Sequence, residues 1–188
     1  MFDADPFAKR ERAMEDEFFH RVDEKLRENL RQKMEREQAR ESIAAATGID
    51  DAKLLDALLD AGIGSETLVA LTLIPSVFVA WADGNVTDAE RDAVMKAASE
   101  RGIDSGHVAH EVLQGWLGKR PPKSLWATWK QYAEIAGKTL DNQTKRRFAE
   151  EIVKHATWVA KASGGILGIG KISAAEQTVL DEVSAALR

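Results

Sequence analysis

The chain has 188 residues, of which 44% are hydrophobic and 30% charged, with no cysteine and a formal net charge of −5. That balance describes a folded domain with one substantial core and excludes a disordered chain. It also excludes disulfides and thiolate chemistry, and argues against a nucleic-acid partner, which calls for a basic face.

No secretory signal is legible in "MFDADPFAKRERAMEDEFF", which is charged where an apolar segment would be needed. The longest apolar run, Leu68 to Ala82, is interrupted by Thr72, Pro75 and Ser76. It falls short of the roughly 18–20 apolar residues of a spanning helix, so no membrane span is expected, and the expected location is the cytoplasm.

In chain order, the hydrophobic spacing predicts helices over about 7–46, 51–61, 65–82, 87–101, 104–117, 125–140, 142–162 and 173–187. Strand-like alternation is nearly absent, so the predicted fold class is all-α. Gly48, Gly62, Gly102 and Gly118 stand where helices should end. The domain reading is an extended charged helix over 1–47 and a helical bundle over 48–188.

The first helix is mostly charged, with Glu17/Arg21, Asp23/Arg27, Arg31/Glu35 and Lys33/Glu37 spaced to pair along its surface. Its apolar residues Met14, Phe18, Val22, Leu26, Leu30 and Met34 recur at every fourth position. Such a ridge drifts by about 40° per step, which disfavours a long two-stranded coiled coil. A patch of Phe18, Phe19, Val22 and Leu26 is expected to pack either on the chain's own domain or on a partner.

The stretch "DGNVTDAERDAVMKAA" (83–98) recurs in degenerate form as "IGKISAAEQTVLDEVS" (169–184), predicting two related helix–turn–helix units. Thr87 with Glu90, and Ser173 with Glu176, have the spacing of capping boxes. Gly84 suits a left-handed turn. An EF-hand loop ending at Glu90 is rejected, because Val79 and Trp81 occupy the positions where it needs oxygen ligands. Capping leaves Asp83 without a role. Asp83, Asp88 and Glu90 therefore form the candidate metal site, with hard oxygens suited to Ca2+ or Mg2+.

On these residues, "AWADGNVTDAERDAVMKAASERGI" resembles the A-x-A-D-G-x-[IV]-[ST]-x-x-E pattern of TerB-like domains, named for a tellurite-resistance protein. The resemblance covers roughly 66–187. It implies a compact helical fold, a stress-response setting and, in some members, a divalent cation held by acids beside the repeated turns. Asp83 and Glu90 match that pattern, whereas Ile169 replaces the acid in the second copy. Separately, "DPFAKRERAMEDEFF" resembles the start of the zeta-type inhibitor of bacterial ATP synthase, a likeness that stops at Leu26. It implies a helical regulator of a larger complex.

Other motifs carry less. Gly165 to Lys171 imitates a phosphate loop, but Ile172 stands where Ser or Thr should hold magnesium, and the preceding segment reads as helix rather than strand. His107, His110 and Glu111 follow neither zinc-protease order. Trp126 and Trp129, with Tyr132 and Lys130, read either as core or as a docking face. The expected function is a non-enzymatic interaction module with a protein partner, self-association being open.

Overall fold

Pro75 divides in two what the apolar run from Leu68 promised as one helix. With no N–H to donate, proline fits only the first turn of a helix, and here it opens one over Ile74–Ala80. The residues before it, Ser65–Leu73, wind as a tighter 3-10 helix. The computed structural model describes residues 6–162 and 172–188, and only the backbone of 6–16 and of Phe19. The phosphate-loop imitation at 165–171 therefore lies outside the described residues.

The remaining helices follow the expected order: α1 Pro6–Thr47, α2 Ala52–Asp60, then α3 Ile74–Ala80, α4 Asp88–Ser99, α5 Val108–Gly118, α6 Lys123–Thr139, α7 Asn142–Ala162 and α8 Ala174–Ala186. Among the described residues there is no strand. No single helix among them is long and apolar enough to cross a membrane.

Helix α5 departs from the sequence expectation at both ends. Helix α5 begins at Val108, not near Asp104, because His107 caps it by accepting the Ala109 N–H on Nδ1 at 3.0 Å. Gly118 is the last residue of α5 and not a left-handed cap, since the chain leaves through extended Lys119. Gly48, Gly62 and Gly102 do take positive φ.

Helix α3 is the axis of the bundle. Ile74, Val77, Val79 and Ala80 are all fully buried, and α3 packs against α4, α5, α6, α7 and α8. Small residues set the close approach of α4 to α7: Ala93, Ala97 and Ala98 face Ala156 and Ala160 in one core cluster. A second cluster gathers Ile43, Leu54, Leu58, Ile63, Leu71, Trp129, Ile152 and Val183 around the other side. Contacts between the two repeat units are reciprocal: α3 packs on α7, α4 also packs on α7, and α8 also packs on α3.

Among the described residues, helix α1 joins this body at its C-terminal end, where Ile43 is fully buried and contacts run to α2 and the 3-10 helix. Arg40 pairs with Asp56 at 2.8 Å, and Arg36 reaches both Asp56 at 2.7 Å and Asp60 at 2.9 Å. The last turns of α1 are thus a packed seat on α2 and the 3-10 helix. The part of α1 from Phe18 to Met34 carries its apolar ridge in the open.

Candidate functional site: two buried capping glutamates and an open helix face

The turn after α3 is built tightly. The Trp81 indole N–H donates to the Trp116 carbonyl at 2.8 Å, which pins the turn to α5. Gly84 then takes φ +104°, a conformation that costs a side-chain-bearing residue but not glycine, and its N–H closes on the Trp81 carbonyl at 3.1 Å.

Thr87 and Glu90 form the expected capping box. The Thr87 N–H and hydroxyl both donate to Glu90 Oε2 at 2.7 Å, while the Glu90 N–H donates to the Thr87 hydroxyl at 3.3 Å. Ser173 and Glu176 repeat it at α8, with the Ser173 N–H on Glu176 Oε2 at 2.6 Å.

What capping does not require is burial, and both glutamates are 1% exposed. Glu90 Oε1 is enclosed with no hydrogen-bond partner, an arrangement that costs free energy in a native core. Burial pushes the Glu90 carboxyl above the usual carboxylate range. The Thr87 hydrogen bonds oppose that rise, and the negative charges of Asp83 and Glu176 add to it. The two repeat units therefore bring their capping acids near enough to repel one another.

Of the metal candidates, Asp83 is exposed but electrostatically coupled to Glu90, whereas exposed Asp88 is not among the charges acting on Glu90. Among the described residues no group of three His, Asp or Glu side chains is gathered closely enough to hold a metal ion. A cation at this turn would have to draw acids together. The sequence marks Glu176 as a cap but not as part of this site; the signal for that is the repeat itself, which aligns it with Glu90.

Two of the histidines serve the scaffold. His107 is a helix cap, and buried His155 sits among Arg101, the Glu151 carbonyl and Glu100, with Glu100 Oε2 at 3.4 Å.

The second feature is on α1. Phe18 (58% exposed), Val22 (48%), Leu26 (55%), Leu30 (52%) and Met34 (73%) are all open to solvent. Among the described residues, Val108 is the one other large apolar side chain so exposed. The Phe19 side chain lies outside the described residues.

The tryptophan pair is placed differently from a docking face. Trp129 is fully buried, and Trp126 stacks on it at 4.9 Å while packing on Phe78 at 4.8 Å. The Trp126 indole N–H donates to Glu182 at 2.8 Å, and Tyr132 sets its edge against Phe148. At spacing i, i+3 both tryptophans lie on one face of α6, and that face is turned inward. Only the half-buried edge of Trp126 is within reach of another molecule.

No protein-family model, no curated protein and no solved structure matches this chain.

Proposed function

We propose that this chain is a non-enzymatic interaction module of TerB-like type, which docks a protein partner through the open apolar face of α1. The observation that carries this reading is the Phe18–Met34 ridge. Its five large apolar side chains project from a helix whose far end is seated in the core. Burying such a ridge is worth about 25 cal/mol per Å² of apolar surface, so leaving it in water calls for an occupant. The paired capping boxes and reciprocal helix contacts support the TerB-like reading of 66–187. With it comes a stress-response setting, of the tellurite-resistance kind, as our proposal.

A photo-reactive amino acid placed at Leu26 in the full chain, in cells, should give one discrete cross-linked protein. The same probe at Glu24, on the opposite side of α1, should give at least about fivefold less, since a docked helix covers one stripe. Equal labelling from both positions would sink the reading.

A second reading is favoured by the orphaned Glu90 oxygen: a single Ca2+ or Mg2+ drawn to Asp83 and Glu90, with Glu176 behind them. Millimolar Ca2+ or Mg2+ should then raise the melting temperature, because a ligand at 100 times its Kd stabilises by about 2.7 kcal/mol. Glu90→Gln should abolish that rise while keeping the cap, since glutamine also completes a capping box. If wild type ignores both ions, or Glu90→Gln responds equally, no cation binds there.

The same substitution tests the buried charge. With its folded pKa raised above the ordinary 4.5, native Glu90 holds its proton longer than the unfolded chain does. Its contribution to stability therefore falls as pH rises from about 4.5 through the raised value. The stability difference between wild type and Glu90→Gln, followed by urea melts across that window, should move against wild type as pH rises. A flat difference would show that the buried charge is not felt.

A further inference from the structure

The ridge on α1 is framed by charges that are sorted by sign around the helix. At about 100° per residue, with Leu26 at zero, Val22 and Leu30 lie within about 40° and Lys33 within about 20°. Lys25 and Arg27 fall at about 100° on either side, and Arg21 and Arg31 at about 140°. The acids Glu17, Glu24, Glu28 and Glu35 all fall within about 20° of the opposite pole. Asp23, about 60° from Leu26, is the one acid on the ridge side between residues 18 and 34. The ridge thus runs between two basic rims, with the balancing acids behind.

We infer that the docking partner presents an apolar groove edged by carboxylates, an inference that rests on the docking role proposed above. Three arguments carry it. First, the rim bases Arg21, Arg27 and Arg31 are held by exposed pairs within the helix, Arg21 to Glu17 at 3.9 Å, Arg27 to Asp23 at 2.8 Å, and Arg31 to Glu28 at 2.9 Å and Glu35 at 3.8 Å. Pairs of that kind are worth at most a few tenths of a kcal/mol and exchange readily for an incoming carboxylate.

Second, a partner without negative charge would cover the rims and leave bases facing apolar or basic surface, which is penalised. A second copy of α1 fits poorly too, since Asp23 is the one acid on its ridge side between residues 18 and 34, against Lys25, Arg27 and Lys33. A two-fold crossing at Leu26 sets Lys25 beside Lys25 and Arg27 beside Arg27. Third, the acidic back of α1 disfavours a partner that wraps the whole helix, so recognition is confined to the ridge and its rims. This chemistry gives salt-dependent association, because opposite charges at an interface act mainly on encounter and are screened at high ionic strength.

The test compares reversal of the rim with reversal of the back, using the Leu26 photo-probe in full-length protein in cells. One variant carries R21E, K25E, R27E and R31E; the other carries E17K, E24K, E28K and E35K. Circular dichroism checks that both keep α1 helical. Rim reversal should cut the discrete cross-linked protein at least about fivefold, while back reversal should leave it within about twofold, as expected where contact residues and remote charges differ. In lysate, raising salt from about 50 to 300 mM should lower the yield from the wild-type chain severalfold.

Equal effects of the two variants, or a product that is this chain cross-linked to itself or to lipid, would overturn the inference. In the case of equal effects, the docking role stands and only the rim chemistry falls. No discrete product from any variant would overturn both.

Discussion

Trp129→Ala is expected to be the most damaging single truncation in the chain, costing about 3–5 kcal/mol, the range for a large aromatic removed from a core. For a domain of this size that corresponds to a loss of roughly 6–20 °C in melting temperature. Trp129 is fully enclosed and stacked on Trp126, and its cluster joins α6 to α2, α7, α8 and the seat of α1. The cavity left would therefore open several helix contacts at once. Trp126→Ala should cost distinctly less, about 1–3 kcal/mol, because its outer edge is already in water and its loss frees Glu182 to bind solvent.

Trp129→Phe sharpens the comparison. The Trp129 indole N–H has no hydrogen-bond partner, so phenylalanine removes volume without breaking a polar contact. Its cost should fall well below that of Trp129→Ala, in the region of about 1–2 kcal/mol. Urea denaturation followed by far-ultraviolet circular dichroism measures all three. If Trp126→Ala proved as costly as Trp129→Ala, the inward-facing arrangement of α6 would be wrong.

These tryptophans also mark where sequence reading stops. Their i, i+3 spacing puts them on one face of a helix, but a face is turned inward or outward only by the helices around it. Helix order was legible because glycines and capping boxes punctuate the chain and the apolar spacing is strong. The split at Pro75 was visible as a residue but not as an event, because the apolar run on both sides reads as helix. The start of α5 was missed because histidine is not among the residues that usually cap a helix. At the turn, sequence identified the box around Glu90 but not its burial. A third-position capping glutamate ordinarily faces water, whereas this one is buried at the start of a helix that packs on α3 and α7. The α1 ridge was legible in full as a pattern, while its exposure had to be seen.

Ile43→Ala is expected to lower stability by about 2–4 kcal/mol, although it lies in the same helix whose earlier turns can be removed at little cost. Deleting residues 1–30 should change the melting temperature of the rest by no more than about 2 °C, because the side chains described there are exposed apart from half-buried Glu28, and surface changes usually stay within about 0.5 kcal/mol. Deleting 1–46 should be far more damaging than either. It removes Ile43 and also strips Arg36 and Arg40 from Asp56, whose carboxyl Arg40, and then Arg36, hold below the ordinary carboxylate range. That pairing stabilises the fold above the ordinary pKa of 3.8 and is lost as pH falls through the depressed folded value. The longer deletion should thus also blunt acid sensitivity. Thermal melts of the three proteins decide the matter: collapse of the 31–188 fragment would show that the ridge is part of the core, and a silent Ile43→Ala would show that α1 has no seat there. Met34 and Ile43 are nine residues apart, about two and a half turns, so the seat and the docking face are separable. Ile43→Ala should accordingly weaken the fold without reducing cross-linking from Leu26 in the molecules that remain folded.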